Sequence, residues 1–130
     1  MKSVYLTTVF DCPSSFPTPF PSEWVIVTAY NPFGQKAPQA RNQHQDATLK
    51  SILQQKGYPH WRVTGQSPNG QHQEPGWGCI VDIQEAKAMA KLFKQDAIYL
   101  IKDDQLFLYS CHNDEQVEMG SFSERLVHAK

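Results

Sequence analysis

Residues Trp24 to Tyr30, WVIVTAY, form an almost uninterrupted apolar run of strand length. Such a run is typical of a central strand that is covered on at least one face. Asn31 and Pro32 end the run, because proline has no backbone N–H and holds the residue before it in an extended geometry. The stretch therefore predicts a core strand that stops at an Asn-Pro break.

Length and charge are those of one compact domain with no broad charge excess. The chain has 130 residues, 40% of them hydrophobic, so we expect a single domain over residues 1–130. Twelve Lys and Arg against 13 Asp and Glu give a formal net charge of -1. This charge does not draw a protein to phosphate backbones or acidic membranes, and we expect neither nucleic acid nor a membrane as a partner.

The cysteines and the N-terminal residues indicate a reducing compartment. Cys12, Cys79 and Cys111 are far apart and odd in number, which does not suit a secreted disulfide framework. The apolar run near the N-terminus is short, contains two Thr and lacks a small-residue cleavage site. No stretch approaches the roughly 20 apolar residues that span a bilayer. We therefore expect a soluble cytoplasmic protein with reduced thiols.

The first half of the chain predicts strands on either side of a helix. Val4–Phe10 is rich in β-branched and aromatic residues and is interpreted as a strand, with a helical turn as the alternative. Residues 13–22 hold four prolines and are interpreted as an extended loop that its Phe side chains pin to the core. Gln39–Lys56 has no Pro or Gly, carries apolar residues at helical spacing and precedes Gly57, so it predicts the first helix.

The second half predicts two hairpins around a second helix. HWRVTGQ (60–66) and WGCIVD (77–82) are interpreted as strands joined by the polar connection SPNGQHQEPG (67–76). Asp82 and Glu85 resemble a capping box in front of an apolar helical stripe. AIYLIK (97–102) and LFLYSC (106–111) flank a turn at DDQ. The polar tail over residues 112–130 has apolar positions that can add a final edge element.

This order predicts an α+β fold of the split βαβ, ferredoxin-like type. We expect a mainly antiparallel sheet with two helices on one face, plus an extra N-terminal strand and a C-terminal hairpin. In such a sheet the loops at residues 31–38 and 67–76 lie at the same edge, together with the N-terminus of the first helix. That helix end carries a partial positive charge and free N–H donors, which can hold an anion.

The residues expected to bind a ligand lie in those two loops: Asn31, Gln35, Lys36, His72, Glu74 and Trp77. Asn31 either hydrogen-bonds a ligand or caps its own turn. Glu74 either acts as a base or ligand anchor or holds the hairpin through backbone N–H groups. Trp77 either stacks on a ring or belongs to the core.

Other chemical signals are weak. The His residues at 44, 60, 72, 112 and 128 and the three Cys lack the spacing of a zinc site, so we expect no metal. No phosphate-binding or dinucleotide-binding glycine motif is present, and we expect no cofactor. Cys79 lies in a predicted strand and is interpreted as a small buried apolar residue rather than a nucleophile. We name no catalytic residue.

Two polar features of the second helix have simple explanations. Lys87, Lys91 and Lys94 form a stripe that either contacts phosphates or is a solvated face, and Glu85 and Asp96 dilute its charge. Gln95, at the helix end, is interpreted as a side chain whose amide satisfies carbonyl groups there.

Several motifs recur in a family of small bacterial proteins: VTAYNP (27–32), EPGWG (74–78) and LFKQDAIYL (92–100), with Asn42, Gly57, Gly65 and Ala86. With these motifs the chain resembles domain-of-unknown-function family 3293 (DUF3293) over most of its length, from about Tyr5 onward. Members have TAYNP or TAWNP, a Glu-Pro pair before the hairpin return and FGQ before the last core strand. Here Lys94 stands at the Gly position. The family has no assigned activity, so the resemblance narrows only the fold and the compartment.

These observations lead to three functional hypotheses. The first is a non-catalytic binding or regulatory domain that recognises a small polar ligand or a protein partner at the loop edge. The second is a small enzyme in which Glu74 or His72 acts as an acid–base group beside Asn31, with an anion at the helix N-terminus. The third is a nucleic-acid binder that uses the Lys stripe and Trp77.

Overall fold

A computed structural model of the chain describes residues 6–13, 17 and 19–127. Over these residues the chain forms a mixed α+β fold with one sheet and two α-helices. The elements are β1 (Val9–Asp11), β2 (Glu23–Thr28), α1 (Gln39–Lys56), β3 (His60–Gln66), β4 (Gln73–Cys79), α2 (Ile83–Leu92), β5 (Ala97–Lys102), β6 (Gln105–Ser110) and β7 (Gln116–Ser121). Short 3-10 turns follow β2 at Pro32–Gly34 and β7 at Ser123–Arg125.

The sheet contains seven strands in the order β1-β3-β4-β2-β5-β6-β7, and each neighbouring pair is antiparallel. The expected α+β class and the antiparallel pairing are confirmed, but the sheet is larger than expected. It is also curled. Phe10 in β1 forms a bridge with Leu126, beyond β7, and its carbonyl accepts a hydrogen bond from the Val127 N–H at 2.7 Å. The two ends of the sheet therefore meet.

Both helices pack on one face of the sheet, where they form the helix-side core. This core contains apolar residues of β2, β4, β5 and both helices, namely Val25, Val27, Ala29, Leu49, Leu53, Trp77, Cys79, Ala86, Met89, Ala90, Phe93, Ile98, Leu100 and Cys111. The predicted bounds of α1 are confirmed, and Gly57 ends it in the left-handed conformation at φ 72°. Leu49 and Leu53 are fully buried, as their helical spacing predicts.

The opposite, inner face of the sheet curls around a second core, the inner-face core. Its members are Phe10, Trp24, Ile26, Trp61, Val63, Ile101, Leu106, Leu108, Met119 and Phe122. The rings of Trp24 and Phe122 lie 5.0 Å apart, and half-buried Phe20 of the Pro-rich loop packs beside them. The role expected for Phe20 is thus confirmed, whereas Phe16 lies outside the described residues. Because β2 is buried on both faces, its apolar run is continuous rather than alternating.

The long hairpin differs from the prediction, because β4 begins at Gln73 and ends at Cys79 rather than covering 77–82. A proline inside β4 made residues 73–76 resemble a loop. The carbonyl of Pro75 accepts a hydrogen bond from Thr28 Oγ1 at 2.8 Å and therefore points toward β2. In an antiparallel strand the nitrogen and the carbonyl of one residue point to the same side, so the Pro75 nitrogen also faces β2. The β2 ladder ends at the Thr28–Gly76 pair, and Pro75 therefore removes no ladder hydrogen bond.

The ends of the sheet correct two further predictions. The N-terminal strand starts at Val9, while Leu6 and Thr7 form a 3-10 turn; Val4 and Tyr5 lie outside the described residues. The β5–β6 hairpin turns on two residues rather than three, since Asp103 and Asp104 both have positive φ, at 49° and 68°. Within the polar tail, residues 116–121 form the edge strand β7.

At the start of α2, one of the two hydrogen bonds of the predicted capping box forms. Asp82 Oδ1 accepts a hydrogen bond from the Glu85 N–H at 3.0 Å, as predicted. The Glu85 side chain does not return to Asp82; it pairs with Lys56 Nζ at 3.0 Å. Glu85 therefore links the start of α2 to the end of α1.

Candidate ligand-binding site

The Asn-Pro break after β2 is held by a network of two asparagine side chains. The Asn31 N–H donates to Asn42 Oδ1 at 2.9 Å, and Asn42 Nδ2 donates to Asn31 Oδ1 at 2.8 Å. Asn31 Oδ1 also accepts from the Ala37 N–H at 3.0 Å. Asn42 is buried although it is polar, and it ties the first turn of α1 to the end of β2.

The backbone at this break is left-handed rather than extended. Asn31 has φ 50° and ψ 70°, which corrects the extended geometry expected before Pro32. Asparagine tolerates this conformation better than most residues. Phe33 also has positive φ, at 56°, and its N–H donates to the Lys94 carbonyl at 2.8 Å. Lys94 has φ 58°, which is consistent with the Gly expected at that position from the family pattern.

Glu74 meets this network from the start of β4. Asn31 Nδ2 donates to Glu74 Oε2 at 3.1 Å, so the two predicted loops lie together, as the strand order required. The amide of Asn31 is thereby committed to Asn42, Ala37 and Glu74. Asn31 closes its own turn and orients the Glu74 carboxylate.

Gln95 connects the end of α2 to the same region. Its Nε2 donates to the Tyr30 carbonyl at 2.9 Å and to the Phe93 carbonyl at 3.2 Å, which agrees with the role expected for its amide. Carbonyl oxygens only accept hydrogen bonds, so this pairing determines which atom of the amide is the nitrogen. Gln95 is 7% exposed, and its Oε1 accepts no hydrogen bond within the described part of the chain.

A cavity of about 160 Å³ opens on the inner face of the sheet, beneath Glu74. Its apolar wall consists of Phe10, Ile26, Gly65, Gly76 and Ala97. The polar groups from strands and helix ends are Thr8, Thr28, Glu74, Gln95 and Tyr99, and the β3–β4 hairpin adds Gln66, Ser67 and His72. Most of these residues lie where β2 and β3 end and where β4 and β5 begin, whereas Phe10 belongs to β1 and Thr8 precedes it.

The structure separates the predicted ligand residues into two groups. Glu74 and His72 line the cavity, and Asn31 reaches it through Glu74. Gln35 and Lys36 are exposed and are not among its lining residues. No described hydrogen bond or ion pair brings these two side chains to Glu74.

Trp77 lies on the other face of the sheet, within the helix-side core. It is 7% exposed, and the Arg62 guanidinium covers its ring at 3.8 Å from the centroid. Arg62 also forms a double hydrogen bond with Asp46 of α1, at 2.8 and 2.7 Å. The Arg62 guanidinium thus lies over the Trp77 ring, and the buried ring forms part of the helix-side core.

Several cavity residues were not predicted from sequence as ligand residues. Thr28 and Tyr99 belong to predicted strands and family motifs, and Gln95 to the predicted end of a helix, and none of these features predicts a ligand contact. Tyr99 donates its hydroxyl hydrogen to Thr8 Oγ1 at 3.0 Å, across 91 residues of sequence. The sequence of a strand does not reveal which of its residues will line the cavity once the sheet has curled.

The cysteines occupy protected positions. Burial raises the pKa of the Cys79 thiol to about 12, and the residue is fully buried in the helix-side core. Burial likewise raises the pKa of Cys12 to about 12 and that of Cys111 to about 11. All three are free thiols. Protonated, buried thiols are poor nucleophiles, and Cys79 acts here as a small apolar residue.

In residues 6–13, 17 and 19–127, no three His, Cys, Asp or Glu side chains are grouped so that they can hold a metal ion; His128 lies outside this part. Over the same described residues, neither helix has the length and apolar character needed to cross a membrane.

Fold and cavity together define a small α+β domain with a ligand-sized cavity at one end of a curled sheet. A family model described as "Protein of unknown function (DUF3293)" matches residues 27–98, which include Asn31, Asn42, Glu74 and Gln95. The chain belongs to this family. A search of curated proteins and a search of solved structures each returned no significant match.

Proposed function

We propose that this protein is a non-catalytic binding domain that takes up a small ligand with polar groups in the cavity beneath Glu74. One observation carries the proposal: a cavity of about 160 Å³ that combines an apolar wall with polar side chains, among them those of Glu74 and the buried residue Gln95. Ligand sites in proteins typically have this composition, with a mostly apolar lining and a few polar groups that orient the ligand. A regulatory role, in which the ligand signals through this domain, is part of the same proposal.

The setting proposed for this function is the bacterial cytoplasm. Three free cysteines without a disulfide among the described residues suit a reducing compartment. We further propose that β2, α1, β3, β4, α2 and β5 form a ferredoxin-like unit. The order of the central strands, β5-β2-β4-β3, supports this, because it is the order that a split βαβ produces.

Substitutions that fill the cavity with larger side chains test the binding proposal. Ala97 lines the cavity, so Ala97→Leu places three more heavy atoms in it, and Gly65→Val narrows it from β3. A valine at position 65 has a permitted backbone, and an added Cβ meets Thr8 Cγ2 only at 3.4 Å. Ala47→Leu, at an exposed position in the middle of α1, is the matched control for added side-chain volume.

Ligand-observed NMR with benzyl alcohol, a neutral single-ring probe, measures occupation of the cavity. We expect millimolar binding by the wild type and by Ala47→Leu, and loss of binding in both cavity variants, with circular dichroism confirming that all four proteins fold. Absence of binding to the wild type, or equal binding by the folded cavity variants, would contradict the proposal.

A second candidate function is acid–base catalysis, and one observation favours it. His72 and Glu74, the two groups suited to proton transfer, line the same cavity. A single-ring ester, phenyl acetate, is the probe for this function, because hydrolysis of its ester bond by water gives phenol and acetate, whose resonances appear in the NMR spectrum over time. Conversion that disappears in both Glu74→Gln and His72→Gln would establish catalysis, and unchanged probe spectra would contradict it.

A further inference from the structure

We propose that the ligand places a hydrocarbon group about the size of one six-membered ring against Ile26 and Phe10, and keeps its polar group at the β3–β4 hairpin. The inference rests on the proposed function, since it assigns an orientation and a chemical class to the ligand of the same site. Burial, cavity size and the hydrogen bonds of the cavity wall each contribute one part of the assignment.

The base of the cavity is apolar and deeply buried. Ile26 lies within β2, opposite Tyr99 of β5, and is 5% exposed. Phe10 is fully buried, and Ala97 adds a small apolar side chain to the lining. A polar group that enters this base loses its water, which costs free energy, whereas a hydrocarbon group gains free energy when its surface is buried. We therefore assign the apolar part of the ligand to the base.

Cavity size limits this apolar part. The cavity volume of about 160 Å³ is close to that of an engineered cavity of roughly 150 Å³ that binds benzene. A single ring with a short substituent fits this space, whereas a dinucleotide or a fused polycyclic ligand does not.

The mouth of the cavity is polar and lies at the β3–β4 hairpin. Ser67 and His72 follow the last residue pair of the two strands, and His72 is exposed. Thr8 lies at the same level, because the next residue, Val9, pairs with Gln66 at the end of β3. A polar group of the ligand keeps its contact with water at this mouth, so its desolvation costs little.

Side chains of the cavity wall direct their donor hydrogens to the protein. The Thr28 hydroxyl donates to the Pro75 carbonyl at 2.8 Å. Gln95 Nε2 donates to two backbone carbonyls, and the Tyr99 hydroxyl donates to Thr8 Oγ1 at 3.0 Å. A carbonyl or ether oxygen on the buried part of the ligand meets donors that are already engaged, and a buried acceptor without a donor is unfavourable. The buried group is therefore a hydrocarbon.

Three neutral probes test this assignment: benzyl alcohol, 4-ethylbenzyl alcohol and 4-methoxybenzyl alcohol. The last two have the same length and differ only in a CH₂ group or an ether oxygen at the end remote from the hydroxyl. We expect the wild type to bind the ethyl probe about tenfold more tightly than the methoxy probe in NMR titrations, because the ether oxygen would be buried without a donor.

Intermolecular NOEs between ¹³C-labelled wild type and unlabelled 4-ethylbenzyl alcohol report the orientation directly. We expect the ethyl protons to show NOEs to the Ile26 methyl groups, and the hydroxymethyl protons to show NOEs to Thr8, Ser67 and His72. The reversed pattern would overturn the assignment.

Ile26→Ala enlarges the base, and Val27→Ala is the matched control, because Val27 is a buried neighbour on the helix-side face of the same strand. In Ile26→Ala the affinity for the ethyl probe relative to benzyl alcohol should rise about fourfold for each methylene that enters the new space. The ratio should not change in Val27→Ala. Circular dichroism establishes that both variants fold, and the NOEs of the wild type test the same contact without any substitution.

The outcomes distinguish the two proposals. Cavity-dependent binding with equal affinity for the ethyl and methoxy probes, or an unchanged affinity ratio in folded Ile26→Ala, would overturn the assignment and leave the binding function standing. If none of the three probes binds the wild type, the binding function itself fails.

Discussion

The two faces of the sheet are covered in different ways, and the cavity beneath Glu74 lies on the inner face. On the helix side, α1 and α2 lie across β2, β4 and β5 and bury the helix-side core. On the inner side the sheet covers itself, as β1 meets the segment beyond β7. One end of that inner face is filled by large rings, Trp24 and Phe122 among them.

At the other end of the inner face, small residues replace the large rings. Gly65 and Ala97 stand where larger side chains would be needed to fill the space between the curled strands. The cavity thus follows from the way in which the sheet curls over its own inner face. Large residues at one end set the distance between the facing strands, and the strands therefore leave a gap at the end where the residues are small. Separate helices can instead shift until their own side chains fill the space.

Removal of a ring that closes the inner face should have the largest effect. Phe122 is fully buried and packs on Phe10, Phe20 and Trp24. We expect Phe122→Ala to lower the free energy of unfolding by about 4 kcal/mol, measured by urea denaturation. Leu92, an apolar residue of α2 that is 68% exposed, should lose less than about 0.5 kcal/mol on mutation to Ala. Similar losses would show that Phe122 does not close this face.

A pair of glycines compares the filled and open ends of the inner face directly. A Cβ at Gly78 would overlap the Trp61 ring and lie 2.9 Å from Trp24 Cζ3, so Gly78→Ala should cost about 3 kcal/mol. A Cβ at Gly65 meets Thr8 Cγ2 at 3.4 Å, an ordinary contact. Gly65→Ala should therefore stay within about 0.5 kcal/mol of the wild type. Chemical denaturation of the two variants decides whether the ends differ in packing.

On the helix side, the ion pair between Asp46 and Arg62 should contribute to the free energy of unfolding. The Asp46 carboxylate accepts two hydrogen bonds from Arg62, and its side chain is only 13% exposed. We expect Asp46→Asn to lower the free energy of unfolding by about 2 kcal/mol. Asp114→Asn, at an exposed loop position, is the control and should change little. An effect of Asp46→Asn no larger than the control would mean that apolar packing alone holds α1.

The end of α2 offers a stabilising change. Lys94 is exposed and has φ 58°, a conformation in which a side chain is strained and glycine is not. We expect Lys94→Gly to raise the free energy of unfolding by about 1 kcal/mol. Lys91→Gly, one turn earlier and within the helix, should lower it by about 1 kcal/mol. The same sign for both variants would contradict the strain at Lys94.

The smallest expected effect concerns the β5–β6 turn on the inner side. Burial alone would raise the pKa of Asp104, but hydrogen bonds from the Ser121 and Ser123 hydroxyls and the Ser123 N–H outweigh it and lower the pKa below 3.8. A carboxyl with a lowered folded pKa stabilises the protein above its unfolded pKa and loses this effect as the pH falls through the folded pKa.

Asp104→Asn tests this pH dependence, because asparagine tolerates the positive φ of the turn. The difference in melting temperature between wild type and variant should be constant near neutral pH and shrink as the pH falls below 3.8. A difference that does not change with pH would show that the charge of Asp104 makes no contribution.

Much of the fold was predictable from local patterns, and the exceptions have identifiable causes. The bounds of α1 followed from helical spacing and a terminal glycine, and the Asp82 cap from its position before an apolar stripe. The start of β4 was missed because a proline such as Pro75 is typical of a loop. Only the position at which β2 ends shows that Pro75 can lie in β4 without the loss of a ladder hydrogen bond. For Trp77 the sequence left both a ligand contact and a place in the core open, because nothing in the sequence pairs this residue with Arg62.

By itself the sequence determined the helices, most strands, the family and the edge at which Asn31 and Glu74 meet, because these depend on short-range periodicity and on strand order. Only the tertiary structure decided that the sheet curls, that its inner face holds a cavity, and that Gln95 lines this cavity. Those features depend on contacts between distant residues, such as Phe10 with Leu126 and Tyr99 with Thr8. Local propensity contains no information about which distant residues will meet.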